Sequence, residues 1–186
     1  MAGADPGEPT AAEPLLAIER RVRRVGTGLQ GPDLSGCWQL QRVWSRGSQR
    51  ADGFSGGLLR ALAARLEIRL TPQGLRLCNA VNLGALELRF EGPGRLQGSR
   101  PLLLFSFERV ELRLADRLLL QRPLPAPAPR RVPFFALIHR DPAGWLAARG
   151  RGGGLALWRL APDGNATVSN ATVSNANVAT MEPPAP

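Results

Sequence analysis

Apolar residues recur with two different periods along this chain, and the change of period divides it. From Pro14 to Val25, Leu15, Ile18, Val22 and Val25 return every three or four residues, with Arg20, Arg21, Arg23 and Arg24 beside or opposite them. This predicts one short amphipathic helix over 14–25, entered through Pro14 and stopped at Gly26. So short a helix is marginal alone, so its stripe needs cover: the end of the following domain is preferred over a membrane surface. After Gly31-Pro32-Asp33 the period becomes two. A strand is predicted from Leu34 to Ser45, with Trp38, Leu40 and Trp44 on one face and Gln39, Gln41 and Val43 on the other. A polar, glycine-containing loop from Arg46 to Gly57 leads to a short helix through Leu58, Leu62 and Leu66.

Strand alternation then dominates. Leu66, Ile68 and Leu70 alternate with Arg65, Glu67 and Arg69, and Leu75 and Leu77 follow a turn at 71–74. Leu86, Leu88 and Phe90 alternate with Glu87, Arg89 and Glu91, and Gly92-Pro93-Gly94 is expected to end that strand. Phe105 and Phe107 resume the pattern, which runs through Val110, Leu112 and Leu114, turns at Asp116 and returns in Leu118 and Leu120. A proline-rich connection from Pro123 to Pro133 precedes three short strands, Phe134–His139, Trp145–Arg149 and Leu155–Leu160. Eight or nine mostly antiparallel strands with one apolar face share one interior, which favours a small closed barrel over a sandwich because closure removes exposed edges. The fold class is therefore mainly β, an antiparallel barrel with a short N-terminal amphipathic helix. Residues 1–13 read as a disordered acidic leader, 14–160 as the barrel domain, and 161–186 as a disordered tail built on the repeat Asn-Ala-Thr-Val-Ser.

Charge adds a surface to this picture. All 24 basic residues are arginine, with no lysine and no tyrosine, a bias that resembles that of a GC-rich genome. The body from Leu15 to Leu160 sets 24 arginines against ten acids, a net +14 that should attract an anionic membrane surface, nucleic acid or an acidic protein. Nucleic acid is the weaker alternative, because Phe90, Phe105 and Phe107 share a face with leucines and the arginines alternate with glutamates as on a solvated exterior. No apolar run is long enough to cross a membrane as a helix, and the first residues lack the features of a signal or transit peptide, so a cytoplasmic location is expected.

Candidate chemistry is sparse. Cys37 and Cys78 form neither a disulfide framework nor a CxxC pair, and the single histidine, His139, beside Phe134, Phe135, Leu137 and Ile138, reads as structural. The glycines of 150–154 lead into a strand rather than a helix and read as a hairpin turn, not a phosphate cradle. Glu108 and Glu111 are expected on opposite strand faces as solvated charges rather than as a catalytic pair. No enzyme activity, metal or cofactor is expected. What remains is an interior of Trp38, Leu40, Ile68, Leu70, Leu88, Phe90, Phe105 and Phe107, able to be self-filled or to hold one apolar ligand.

The segment Leu34-Ser-Gly-Cys-Trp-Gln-Leu40 resembles the opening strand of the plastid lipid-associated protein (fibrillin) family. The segment Gly144-Trp-Leu-Ala-Ala-Arg-Gly-Arg-Gly-Gly-Gly-Leu155 is similar to a compressed form of the closing signature of that family, with Arg151 where an acid commonly follows Arg-Gly. Asn82 to Phe90 and Phe107-Glu-Arg-Val110 resemble its central strands in order and spacing, so the likeness spans roughly 34–160. The resemblance implies a lipocalin-like barrel that binds a carotenoid, quinone or lipid. It further implies a position peripheral to photosynthetic membranes: thylakoids in a cyanobacterial-type member, a plastid in a eukaryote. In the lipocalin arrangement Trp38 floors the barrel under a late arginine, with Arg149 or Arg159 expected here. Phycobilin lyases, also lipocalin-like, have an opening strand that Gly36-Cys-Trp-Gln-Leu-Gln-Arg42 faintly resembles, and they are the runner-up. A ligand-free scaffold docking through its arginine-rich face is the third reading.

Overall fold

The computed structural model describes residues 7–48, 64–115 and 117–162. The helix expected through Leu58 and Leu62, most of the loop expected over 46–57, Asp116, the first residues of the chain and those from Asp163 onward lie outside the described residues.

The first element, α1 (Ala12–Val25), starts two residues earlier than the spacing predicts and ends at Gly26, whose positive φ of 78° suits a residue without Cβ. A four-residue helix, α2 (Gly31–Leu34), follows. Ten strands come next: β1 (Gly36–Trp44), β2 (Arg65–Thr71), β3 (Gly74–Leu83), β4 (Leu86–Gln97), β5 (Leu102–Phe105), β6 (Arg109–Leu114), β7 (Arg117–Pro123), β8 (Phe134–Asp141), β9 (Trp145–Gly150) and β10 (Leu155–Leu160). Eight of them close an antiparallel barrel in the order β3-β2-β1-β10-β9-β8-β5-β4, with β4 returning to β3. The expected mainly β barrel is what the chain forms. Leu66 belongs to β2, not to a helix.

The other two strands, β6 and β7, extend the sheet beyond the barrel. Gly92-Pro93-Gly94 does not end a strand: β4 runs through it, pairing with β6 over Leu86–Glu91 and with β5 over Gly94–Gln97. Between these pairings Ser106, Phe107 and Glu108 face only Gly92 and Pro93, a bulge that bends one continuous return strand out of the barrel. Glycine is needed at this bend, because a Cβ at Gly92 would fall on the carbonyl oxygen of Ser106 and one at Gly94 on the Leu77 side chain.

Two apolar layers result. Inside, Trp38, Leu66, Ile68, Leu77, Leu103, Phe105, Leu137, Leu146 and Trp158 pack into one core. Outside, Trp44, Ile138, Trp145, Ala147, Leu155 and Leu157 form a patch on the barrel wall, and α1 covers it with Ala12, Leu15, Leu16 and Ile18. The helix stripe is thus buried on the side of the domain rather than at its end. The leader joins the body before Pro14, since Ala12 is buried and Glu8 pairs with Arg42 and Arg159.

Two bulges change the side-chain phase, one of them against expectation. In β1 the register slips between Leu40 and Arg42, which puts Val43 inside and sends Trp44 out beneath α1, the reverse of their sequence assignment. In β8, Ile138 points outward, and the slip between Leu137 and His139 puts His139 opposite the outward-facing Ala147 and leaves Arg140 opposite the inward-facing Leu146. The outer face of β2, β3, β4 and β6 is an ion-pair lattice: Glu67 meets Arg65, Arg69 and Arg89, Glu87 meets Arg65 and Arg89, and Glu111 meets Arg109 and Arg113. Burial acts to raise the Glu67 pKa, and these guanidinium groups outweigh it, holding the carboxyl below its ordinary value.

Candidate functional site

One end of the barrel is sealed. Trp38, fully buried, donates its indole N–H to the carbonyl of Leu34 at 2.7 Å, so α2 is tied across this end. The guanidinium of Arg140 lies 5.8 Å from the indole centroid. This is the expected late arginine over Trp38, but its identity differs from the sequence expectation: Arg149 binds Glu19 and Arg159 reaches Glu8. The β8 bulge that turned Arg140 inward is the reason. Ile68 fills the same closed half, whereas Leu70 is 55% exposed against Gly31 and does not line an interior.

The opposite end holds a cavity of about 220 Å³ lined by Leu40, Val43, Ala64, Arg65, Leu66, Asn79, Val81, Phe105, Phe107, Phe135, Ala156 and Trp158. Five rings run through this region in sequence of contact. Phe90 meets Phe107 at 5.7 Å between centroids, Phe107 meets Phe105 at 5.3 Å, Phe105 meets Phe135 at 5.2 Å, and Phe135 meets Trp158 edge-on at 5.2 Å. Each pair adds about 0.5–1.5 kcal/mol beyond its buried area, so the rings form a pre-set wall. Phe107 comes from the bend after β5, which is why a residue between two strands still presents its ring to the cavity.

Of the eight residues the sequence placed inside, Leu40, Phe105 and Phe107 line the cavity, and Phe90 stands one ring behind. Trp38 and Ile68 floor the closed half, while Leu70 and Leu88 lie outside. Leu88 is misplaced for a topological reason: its row belongs to the extension, where no second layer covers it. Val43 was hidden by the β1 bulge, and Phe135 and Trp158 by brevity, since strands of six to eight residues give few alternations to read.

Asn79 is the uncharged polar residue of this lining, exposed at its mouth. It lies opposite Leu66 and Phe90, on the inward face of β3, and its amide makes no side-chain hydrogen bond among the described residues. Arg65 contributes only its stem, because its guanidinium is taken up by Glu67, Asn82 and Glu87 at 3.0, 2.8 and 2.6 Å. No carboxylate lines the cavity among the described residues.

The arginines expected at a membrane, Arg20, Arg21, Arg23 and Arg24, are all exposed on α1, and Arg23 also binds Glu19 at 3.2 Å. Glu19 itself is only 2% exposed and gathers Arg149 at 2.5 and 2.8 Å and Arg100 at 2.6 Å. Burial acts to raise its pKa, but hydrogen bonding and charge from Arg149 and Arg23 hold the carboxyl below its ordinary value. The clamp joins the helix to β9. No group of three or more potential metal ligands occurs among the described residues. His139 packs on Trp145 at 4.9 Å and approaches Asp141 at 3.4 Å. No described helix is long and apolar enough to cross a membrane. Compared with protein-family models, with curated proteins and with solved structures, the chain finds no match.

Proposed function

We propose that this barrel is a non-enzymatic binder of an apolar, ring-bearing ligand, held at the open end between the phenylalanine rings and Asn79. The ring-walled cavity carries the reading. A cavity of roughly 150 Å³ lined by Leu, Ile and Phe takes up benzene, so one of about 220 Å³ suits a single ring with a short chain. A whole carotenoid exceeds that space, so the fit is to the ring end of a quinone or carotenoid, or to the end of an acyl chain. Asn79 supplies a donor and an acceptor for a ring carbonyl or hydroxyl. The fibrillin-type likeness, with its place beside thylakoid or plastid membranes, is supported by Gly36-Cys37-Trp38 opening β1 and Gly144-Trp145 opening β9, two strands bonded to either side of β10. A phycobilin lyase-like role lacks support, since a bilin needs acids for its pyrrole nitrogens and the cavity presents none among the described residues. A scaffold docking through the outer face of β2, β4 and β6 is disfavoured there, because Glu67, Glu87 and Glu111 pair with its arginines.

Titration of the purified protein with a short-chain benzoquinone, read by quenching of tryptophan fluorescence, tests the proposal. Saturable quenching is expected, weakened about tenfold in Phe107→Ala, the equivalent of one aromatic contact. Unsaturable quenching, or equal affinity in both proteins, refutes it. Organic extraction followed by absorbance reports any pigment carried from the host.

A further inference from the structure

The β6–β7 extension carries the one large apolar face of the described structure that no element covers. Residues directly opposite in an antiparallel pair share a face, so the register sets Leu83, Leu86, Leu88, Leu112, Leu114 and Leu120 on the side continuous with the barrel interior. Four of them are exposed: Leu83 at 65%, Leu88 at 37%, Leu114 at 46% and Leu120 at 45%. The row Val81–Leu88–Leu112–Leu120 leads from the cavity lip out to the edge strand. On the same face, Arg117 pairs with Leu114 and Arg122 with Val110, and neither arginine forms an ion pair with a described residue. On the opposite face of the same strands, Arg89, Arg109 and Arg113 are balanced by glutamates. Here the arginines frame leucines instead.

We propose that this leucine face docks on the surface of an anionic bilayer, the leucines entering among the acyl chains while Arg117 and Arg122 bind lipid phosphates. A contiguous row of exposed leucines with a charged rim is the composition of an interaction site, and arginine stems extend apolar contact while their heads stay polar. The depth is limited by β7, whose outer backbone edge has no partner among the described residues and must stay where water reaches. A second copy fits less well: antiparallel self-pairing centred between Leu119 and Leu120 sets Arg117 of each copy against Arg122 of the other. Nor can α1 supply the insertion, since its apolar stripe is already buried on the barrel wall. The proposal deepens the ligand-binding reading, because the docked face runs to the cavity lip.

Flotation with phosphatidylcholine vesicles, with and without phosphatidylglycerol, tests it alongside the quinone titration. The wild-type chain is expected to float with anionic vesicles and to be released by salt. Leu114→Ser/Leu120→Ser should lower that binding about tenfold or more, from the lost apolar contact. Arg117→Gln/Arg122→Gln, which touches only exposed side chains, should lower it about thirty-fold and weaken the salt dependence. Both variants should keep the quinone affinity of the wild type, which shows an intact barrel. Wild-type protein that does not float, or either variant floating as the wild type does, overturns the docking proposal. So does a wild-type dimer that the leucine variant dissociates, which assigns the face to a second copy. Flotation as expected with no quinone binding leaves docking standing and removes the ligand reading instead.

Discussion

Replacing Glu19 by alanine removes the one carboxylate that fastens α1 to the barrel and leaves Arg149 and Arg100 side by side without their counter-ion. Breaking a buried ion pair by deleting one partner costs about 3–5 kcal/mol. Here the arginines keep 21% and 26% of their side-chain surface in contact with solvent and can rehydrate in part. The expected loss is therefore about 2–3 kcal/mol at neutral pH, or roughly 4–12 °C in Tm for a chain of this size. Urea unfolding of wild type, Glu19→Ala and the exposed-site control Glu13→Ala measures it, with the control close to wild type. The pH dependence supplies a second check. The folded carboxyl titrates below its unfolded value, so its contribution is complete above the unfolded pKa and fades as pH falls through the folded one. The gap between wild type and Glu19→Ala should accordingly narrow below about pH 4. A loss under about 1 kcal/mol at neutral pH, or a gap unchanged on acidification, would refute the clamp.

Trp38→Ala should cost about 3–5 kcal/mol through the cavity left at the sealed end, whereas Arg140→Gln should cost about 2 kcal/mol or less; reversal of that order in urea melts would contradict the assignment of the floor. Cys78, whose thiol burial pushes up to about 11, should stay unreactive toward a thiol reagent at pH 8 in the native protein, with Cys37, half-buried and also raised, reacting first; fast modification of Cys78 would place it outside the sheet.

Much of the barrel was legible because its strands alternate cleanly where they are long and regular. The Leu/Arg/Glu code of β2, β4 and β6 gives strand, face and exterior lattice together. What escaped was local geometry that changes phase without changing composition. A single extra residue in β1 exchanged Val43 and Trp44, and another in β8 brought Arg140 over Trp38. Gly92-Pro93-Gly94 read as a stop because glycine and proline end most strands, yet the pairing on both sides carries β4 through it. The outer apolar patch beneath α1 was illegible for a different reason. Strands β9 and β10 are apolar on both faces, so alternation offers no signal of a second layer. The leucine face of the extension shows the reverse case, since its pattern is that of a buried strand and only topology reveals that nothing lies above it.

The return strand that bends at Ser106–Glu108 has a consequence for how this chain can change over generations. Its first part closes the barrel and its second part builds the leucine face, and both pair along one edge with the same strand, β4. The connections after Leu83 and after Leu114 are hairpin ends, where a codon gained or lost alters only a loop tip. A codon gained between Ser106 and Glu108 would instead turn every later side chain of β6 over, exchanging Leu112 and Leu114 with Glu111 and Arg113. Length variation among descendants should therefore collect at those two hairpin ends and be purged from the three-residue bend.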